Sequence, residues 1–208
     1  MLTGRRDGGC GIFCVTAACG FSVRRKEMAD GGITKRALSD ALKELMAEIS
    51  FSKIYVSQIC ERCGMSRQSF YYHFKDKYDL VNWIFNADFL DLFQQQFTDE
   101  DPLDIVRLMA HKLYDNRIFY KNALSVSGQN SLSGHMRKSL EPLLEHRFST
   151  LLPGGKIPDF YKTFLIDASL LGTIKWISSE PCIPPDEFVD QLLDCTLMIA
   201  RHIADTYE

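Results

Sequence analysis

Hydrophobic positions recur at helical spacing from residue 33 almost to the end of the chain. Ile33, Ala37, Leu38, Ala41, Leu42, Leu45, Met46 and Ile49 form one stripe and predict a helix over 33–50. Ile59, Cys60 and Cys63 mark one face of a short second helix, and Phe70 and Phe74 one face of a third. A longer helix is predicted from Asp76 to Phe97. It is apolar on more than one side, which suits an element buried between two layers. Further helices are predicted over 103–114, 117–126, 131–151, 158–179 and 185–206, with Pro142 as a kink or break in the third of these. Thr98 to Pro102, Pro153-Gly154-Gly155 and Glu180 to Pro185 separate them. No segment alternates as a strand would, so the expected fold class is all-α.

The middle of this pattern carries chemistry. Residues 57–74 read SQICERCGMSRQSFYYHF. Gly64 can take the left-handed geometry that ends a helix, and Ser66 can accept from the free N–H groups that start the next. Helix, three-residue turn and helix is the layout of a helix-turn-helix. At 100° per residue, Phe70 and Phe74 lie about 40° apart and define the buried stripe. Arg67, Gln68, Ser69, Tyr71, Tyr72 and His73 occupy the rest of the helix, with no acid among them. Such side chains hydrogen-bond base edges or phosphates. An amphipathic helix with an incidental polar face has the same pattern, so these two helices alone leave the matter open.

The stretch Ile59 to Lys77 resembles the signature of TetR-type transcriptional regulators in order and spacing. That family opens with Ile-Ala, turns at Gly-Val-Ser, ends the reading helix on Tyr-x-His-Phe and starts helix four with Lys-x-x-Leu. Here Cys60 and Cys63 stand at alanine positions and Met65 at the valine position. The resemblance covers 33–85. It implies a three-helix DNA-binding domain over 33–79 and a helical regulatory and dimerisation domain over 80–208. It also implies phosphate contacts from Thr34, Lys35 and Lys77. Ser57 is expected to cap the second helix, whose N–H groups can bind a further phosphate. Arg67 and Gln68 are the expected base contacts.

Charge sharpens the division. Residues 1–81 hold 13 Lys/Arg against 9 Asp/Glu, and residues 82–208 hold 11 against 18, within a total of −3. A basic half suits a polyanion and an acidic half keeps the far end off it. Seven cysteines, odd in number and scattered, do not make a disulfide framework. Cys60 and Cys63 lack the second ligand pair a zinc site needs, and they fall on the packed face. No Walker loop or dinucleotide glycine fingerprint is present, so no cofactor, no metal and no enzymatic activity are expected. A redox enzyme built on Cys60 and Cys63 would require a βαβ core that the pattern does not show. Ile12 to Phe21 is mildly apolar but is interrupted by Thr16 and Gly20 and followed by Arg24, Arg25 and Lys26. A secretory signal is the alternative reading there. Because a DNA reader has no use for export, a cytoplasmic protein with no membrane association is expected. Residues 1–32 are glycine-rich and without period. They are expected to be a disordered extension, with Met28 as an alternative start. Arg24, Arg25 and Lys26 could form a basic arm for a minor groove.

The last two helices carry apolar residues on a wider front than one neighbour needs. Phe164, Ala168, Leu171 and Trp176 on one, with Phe188, Leu192, Cys195 and Ile199 on the other, predict a four-helix homodimer interface. Internal core is the competing account of the same residues. Trp83, His111, Tyr114, Phe119, Tyr120, His135 and Phe164 are of the kind that line a ligand pocket, though nothing in them selects a ligand. The resemblance implies a palindromic double-stranded operator and an effector that shifts helix four. The C-terminal half, with Ser127-Gly128-Gln129-Asn130 and the proline-rich end of the Trp176 helix, also resembles regulators of dihydroxyacetone kinase operons. That would allow a partner protein as trigger and activation as output. A protein-interaction module without DNA affinity is the remaining rival.

Overall fold

The computed structural model describes residues 31–95, 102–126, 128, 130–151 and 157–207. Among them the chain is helical throughout and contains no strand. The extension up to Asp30, its three cysteines and its basic arm lie outside the described residues, as do 96–101 and 152–156.

Helix α1 (Gly31–Glu48) begins two residues inside the stretch expected to lack structure and ends two residues before the expected boundary. Its stripe of Leu38, Ala41, Leu42, Leu45 and Met46 is buried. A single 3-10 turn, Phe51–Lys53, carries the chain to α2 (Val56–Arg62). Ile59 and Cys60 of α2 and Phe70 of α3 (Arg67–His73) join Phe51 and Ile54 in the same core. Arg62 holds the outer side, with its guanidinium 2.9 and 3.0 Å from the two Glu48 oxygens and 3.4 Å from Glu44.

The turn between α2 and α3 is a Schellman cap. Gly64 sits at φ 68°, Met65 N–H donates to the Cys60 carbonyl at 2.9 Å, and Gly64 N–H to the Glu61 carbonyl at 3.3 Å. A Cβ at position 64 would meet no neighbour, so the glycine is needed for backbone conformation rather than space. Ser66 then caps α3 by accepting from Ser69 N–H at 3.1 Å. Both roles match the sequence expectation. Ser57 does not: α2 starts earlier, because Gln58 Oε1 takes the Tyr55 N–H at 2.8 Å and makes Tyr55 the capping position. Ser57 is the second residue of the helix.

Helix α4 (Lys77–Gln95) crosses the expected domain boundary without interruption. Asp76 caps it, its Oδ1 accepting from Tyr78 N–H and Asp79 N–H, both at 2.8 Å. Leu80, Val81, Ile84, Phe85 and Phe89 are buried on more than one side. They pack against α1 in front and against α5 (Pro102–Asp115) and α7 (Leu132–Leu151) behind. Helix α6 (Arg117–Leu124) lies between α1 and α8 (Asp159–Ser178), and α9 (Pro185–Tyr207) runs beside α5. Helix α7 continues through Pro142 rather than breaking there. One large core links the helix-turn-helix to the regulatory helices, while Leu165, Ala200 and Ile203 form a small separate cluster between α8 and α9.

Candidate nucleic-acid interface

The Schellman turn and the Ser66 cap fix how α3 leaves the core. With Phe70 buried, the opposite face points outward. Arg67 and Gln68 are exposed, Tyr71 is exposed, and Tyr72 is 84% exposed. Ser69 and His73 are half-buried at its edges. His73 packs edge-on against Tyr72, with ring centroids 4.8 Å apart. Burial, and then the positive charge of Lys35, hold the His73 pKa below the ordinary histidine value. The start of α1 therefore lies close to the end of α3, and Thr34 and Lys35 border the same face, both half-buried.

Two features depart from the sequence expectation. Tyr55, at the N-cap of α2, is 71% exposed and was not among the expected contacts. The family motif gave no signal for it, and an exposed tyrosine at a helix start is visible as such only once the helix boundary is known. Lys77, expected to reach a phosphate, has its ammonium turned inward. Nζ donates to the carbonyls of Phe51 at 2.8 Å, Ser52 at 3.2 Å and Ile54 at 2.8 Å. An ammonium has three protons, and all three are engaged.

The surface of α3 is thus acid-free, aromatic and cationic, and it stands on a rigidly capped turn. The sequence profile described as bacterial regulatory proteins, tetR family, matches residues 38–84, and one described as transcriptional regulator C-terminal region matches residues 100–197. The chain belongs to the TetR family of transcriptional regulators. Among curated proteins it is 32% identical over 89 residues to the HTH-type dhaKLM operon transcriptional activator DhaS of Lactococcus lactis subsp. lactis (strain IL1403), covering 43% of this chain and 48% of that one. It is 30% identical over 95 residues to the HTH-type transcriptional regulator AcrR of Shigella flexneri, covering 43% and 44%. The chain thus spans about half the length of the curated relatives it matches. The fold is that of a TetR transcriptional regulator from Streptococcus agalactiae 2603V, with TM-score 0.60 and 22% identity over 79% of this chain and 94% of that one. These families are transcriptional regulators, not enzymes.

Each of the seven residues expected to line a ligand pocket has a defined place among the described residues. Trp83 packs on Phe74, 5.9 Å between centroids. Phe119 and Tyr120 are core residues, and Tyr120 Oη donates to Asp88 Oδ2 at 2.6 Å. His135 meets Asn86 Oδ1 at 2.7 Å, and His111 meets Asp186 at 3.2 Å. Tyr114 stacks on Trp176, and Phe164 is exposed on α8. A concavity of about 460 Å³ opens elsewhere, lined by Leu45, Gln58, Glu61 and Arg62 on α1 and α2.

The α8 and α9 residues divide. Phe164, Ala168, Leu171 and Cys195 are exposed, with Leu192 half-buried, and Phe160 and Met198 extend the exposed apolar strip. Trp176 is only 5% exposed. It stacks on Phe188 at 4.3 Å, and its indole N–H donates to the Ile183 carbonyl at 2.9 Å. Trp176 is therefore internal, because the proline-rich turn folds back onto it, while Phe188 stacked against it is half-buried. Ile199 packs on the small α8/α9 cluster.

Cys60 is buried and burial pushes its thiol pKa up, which disfavours the reactive thiolate. Cys63 Sγ donates to the Ile59 carbonyl at 3.2 Å. Among the described residues no group of three or more His, Cys, Asp or Glu could hold a metal ion, and no helix is long and apolar enough to cross a membrane.

Proposed function

We propose that this regulator binds a palindromic operator as a homodimer, each subunit placing residues 67–73 in a major groove. The acid-free outer face of α3, set on its capped turn, is the observation that carries this. Arg67 and Gln68 take the base edges, Tyr71 and Tyr72 a thymine methyl or a phosphate, and Ser69 and His73 the flanking backbone. Thr34, Lys35 and Ser57 supply the outer phosphate contacts. The exposed apolar strip of α8 and α9 supports dimerisation, which two half-sites one helical turn apart require.

An effector bound among the regulatory helices would act by favouring one placement of α4, since only a difference in affinity between two states can shift them. The similarity to a dhaKLM operon activator favours a second version: activation of a dihydroxyacetone kinase operon, triggered by a partner protein. Both versions are tested by salt-titrated binding to the DNA upstream of the chain's own gene. Sequence-preferring, salt-dependent binding is expected. Binding equal on all duplexes would contradict the operator, and no binding would leave an interaction module.

A further inference from the structure

Lys77 sits where α4 begins, and its ammonium fills a cradle of carbonyls from the connector between α1 and α2. The cradle is made by the 3-10 turn: Phe51 and Ile54 carbonyls at 2.8 Å and Ser52 at 3.2 Å. The Phe51 ring closes one side, its centroid 4.7 Å from Nζ. On the other side of the same helix start, Asp79 Oδ2 accepts the Lys75 N–H at 3.0 Å, while Asp76 caps α4 from within. The joint from Phe74 at the end of α3 to the first turn of α4 is thereby fixed. Ile54 stands one residue before the Tyr55 cap of α2. One ammonium thus ties the α3–α4 joint to the entry of α2.

We infer that Lys77 is a positioning residue that locks the entry of α2 to the start of α4, so that both move with the reading helix as one body. This rests on the proposal that the chain reads DNA through α3. It assigns Lys77 a role other than the phosphate contact that its motif position implies. A phosphate contact needs a free, outward proton, and the cradle uses all three. Burial holds the Lys77 pKa below the ordinary lysine value, as expected for an ammonium turned away from water. Any shift of α4 is then passed to α2 as well as to α3, without play at the connector.

The test compares wild-type protein with Lys77→Met and Lys77→Arg. Lys77→Met keeps the aliphatic stem and loses the charge. Lys77→Arg keeps the charge, but its planar fork cannot direct three donors into a compact cradle. Binding to the upstream DNA is titrated with salt at a temperature where circular dichroism shows all three proteins folded. Both variants are expected to lose roughly tenfold in affinity or more, with the slope against salt unchanged. A slope shallower by about one contact in Lys77→Met, with Lys77→Arg retaining affinity, would identify a phosphate contact and overturn the inference. Variants that melt earlier but bind as wild type would overturn it too. Reductive methylation of the wild-type protein, read by mass spectrometry, is independent of DNA. Lys77 should react more slowly than exposed Lys53, and equal rates would remove the cradle. If the wild type binds no duplex while Lys77 is protected, the DNA-reading proposal fails and takes the positioning role with it.

Discussion

The side-chain amide of Asn122 donates to the Met46 carbonyl across 2.7 Å, joining α6 of the regulatory half to the last turn of α1. The final four carbonyls of a helix have no partner within it, so Asn122 supplies one from another part of the fold. Asn122→Ala removes that donor. Stability should fall by about 1 kcal/mol, read as a lower urea midpoint with an unchanged slope. An unchanged midpoint would mean that solvent replaces Asn122 at no cost.

Beside this contact, Tyr120 is fully buried with its hydroxyl on Asp88, and Lys43 of α1 reaches the same carboxylate oxygen at 3.5 Å. Burial, reinforced by the Asp88 charge, drives the phenol pKa far upward, so the hydroxyl remains a donor. Tyr120→Phe keeps the ring and removes one charge-assisted bond. A loss of about 1.5–3 kcal/mol is expected from chemical unfolding. A stability equal to wild type would show that Lys43 alone satisfies Asp88.

Leu171 is 52% exposed in the middle of the α8 strip, beside Phe164 and Ala168. Leu171→Glu should leave the fold intact, because the side chain contributes little to the subunit core. Across a dimer seam it would bury an unpaired carboxylate at about 3 kcal/mol, raising the dimer Kd roughly a hundredfold. Sedimentation should show monomer where the wild type shows dimer. A wild-type monomer, or a dimer indifferent to the substitution, would move the interface elsewhere.

His135 is half-buried, its ring edge-on to Phe85 and its Nε2 on Asn86 Oδ1. Burial, and then Lys138, lower its pKa in the folded state. A lowered folded value means that the unfolded chain binds the proton more readily. Its contribution is therefore present above the ordinary histidine value near 6.5 and is lost as pH falls through the folded value. The urea midpoint should drop between pH 7.5 and pH 5, and His135→Gln should reduce that drop. An undiminished drop in the variant would place the titration elsewhere, with His73 the next group to examine.

The reading helix was legible in the sequence because its burial is one-sided. Two phenylalanines four apart leave a single solution for which residues face out. The cap at Ser66 and the turn at Gly64 follow from local backbone chemistry in the same way. Lys77 was not legible, because its partners lie 23 to 26 residues earlier and meet it only in the folded domain. Trp176 illustrates a different limit. Apolar periodicity marks it as covered but does not say whether a neighbour in the same chain or a second copy covers it. The candidate ligand residues carry a related ambiguity: aromatic and histidine side chains on several helices fit a pocket or a core equally well, and most of them pack into the core or pair with neighbouring side chains.

The central claim is that α3 reads base sequence, and Arg67 and Gln68 test it most directly. Each alanine variant would be titrated by fluorescence anisotropy against the upstream operator and against duplexes changed at one base pair at a time, all at one salt concentration. Each substitution should cost about 1–3 kcal/mol on the operator and abolish discrimination at one position while leaving it at the others. If both variants bound every duplex as the wild type does, α3 would not be the element that reads.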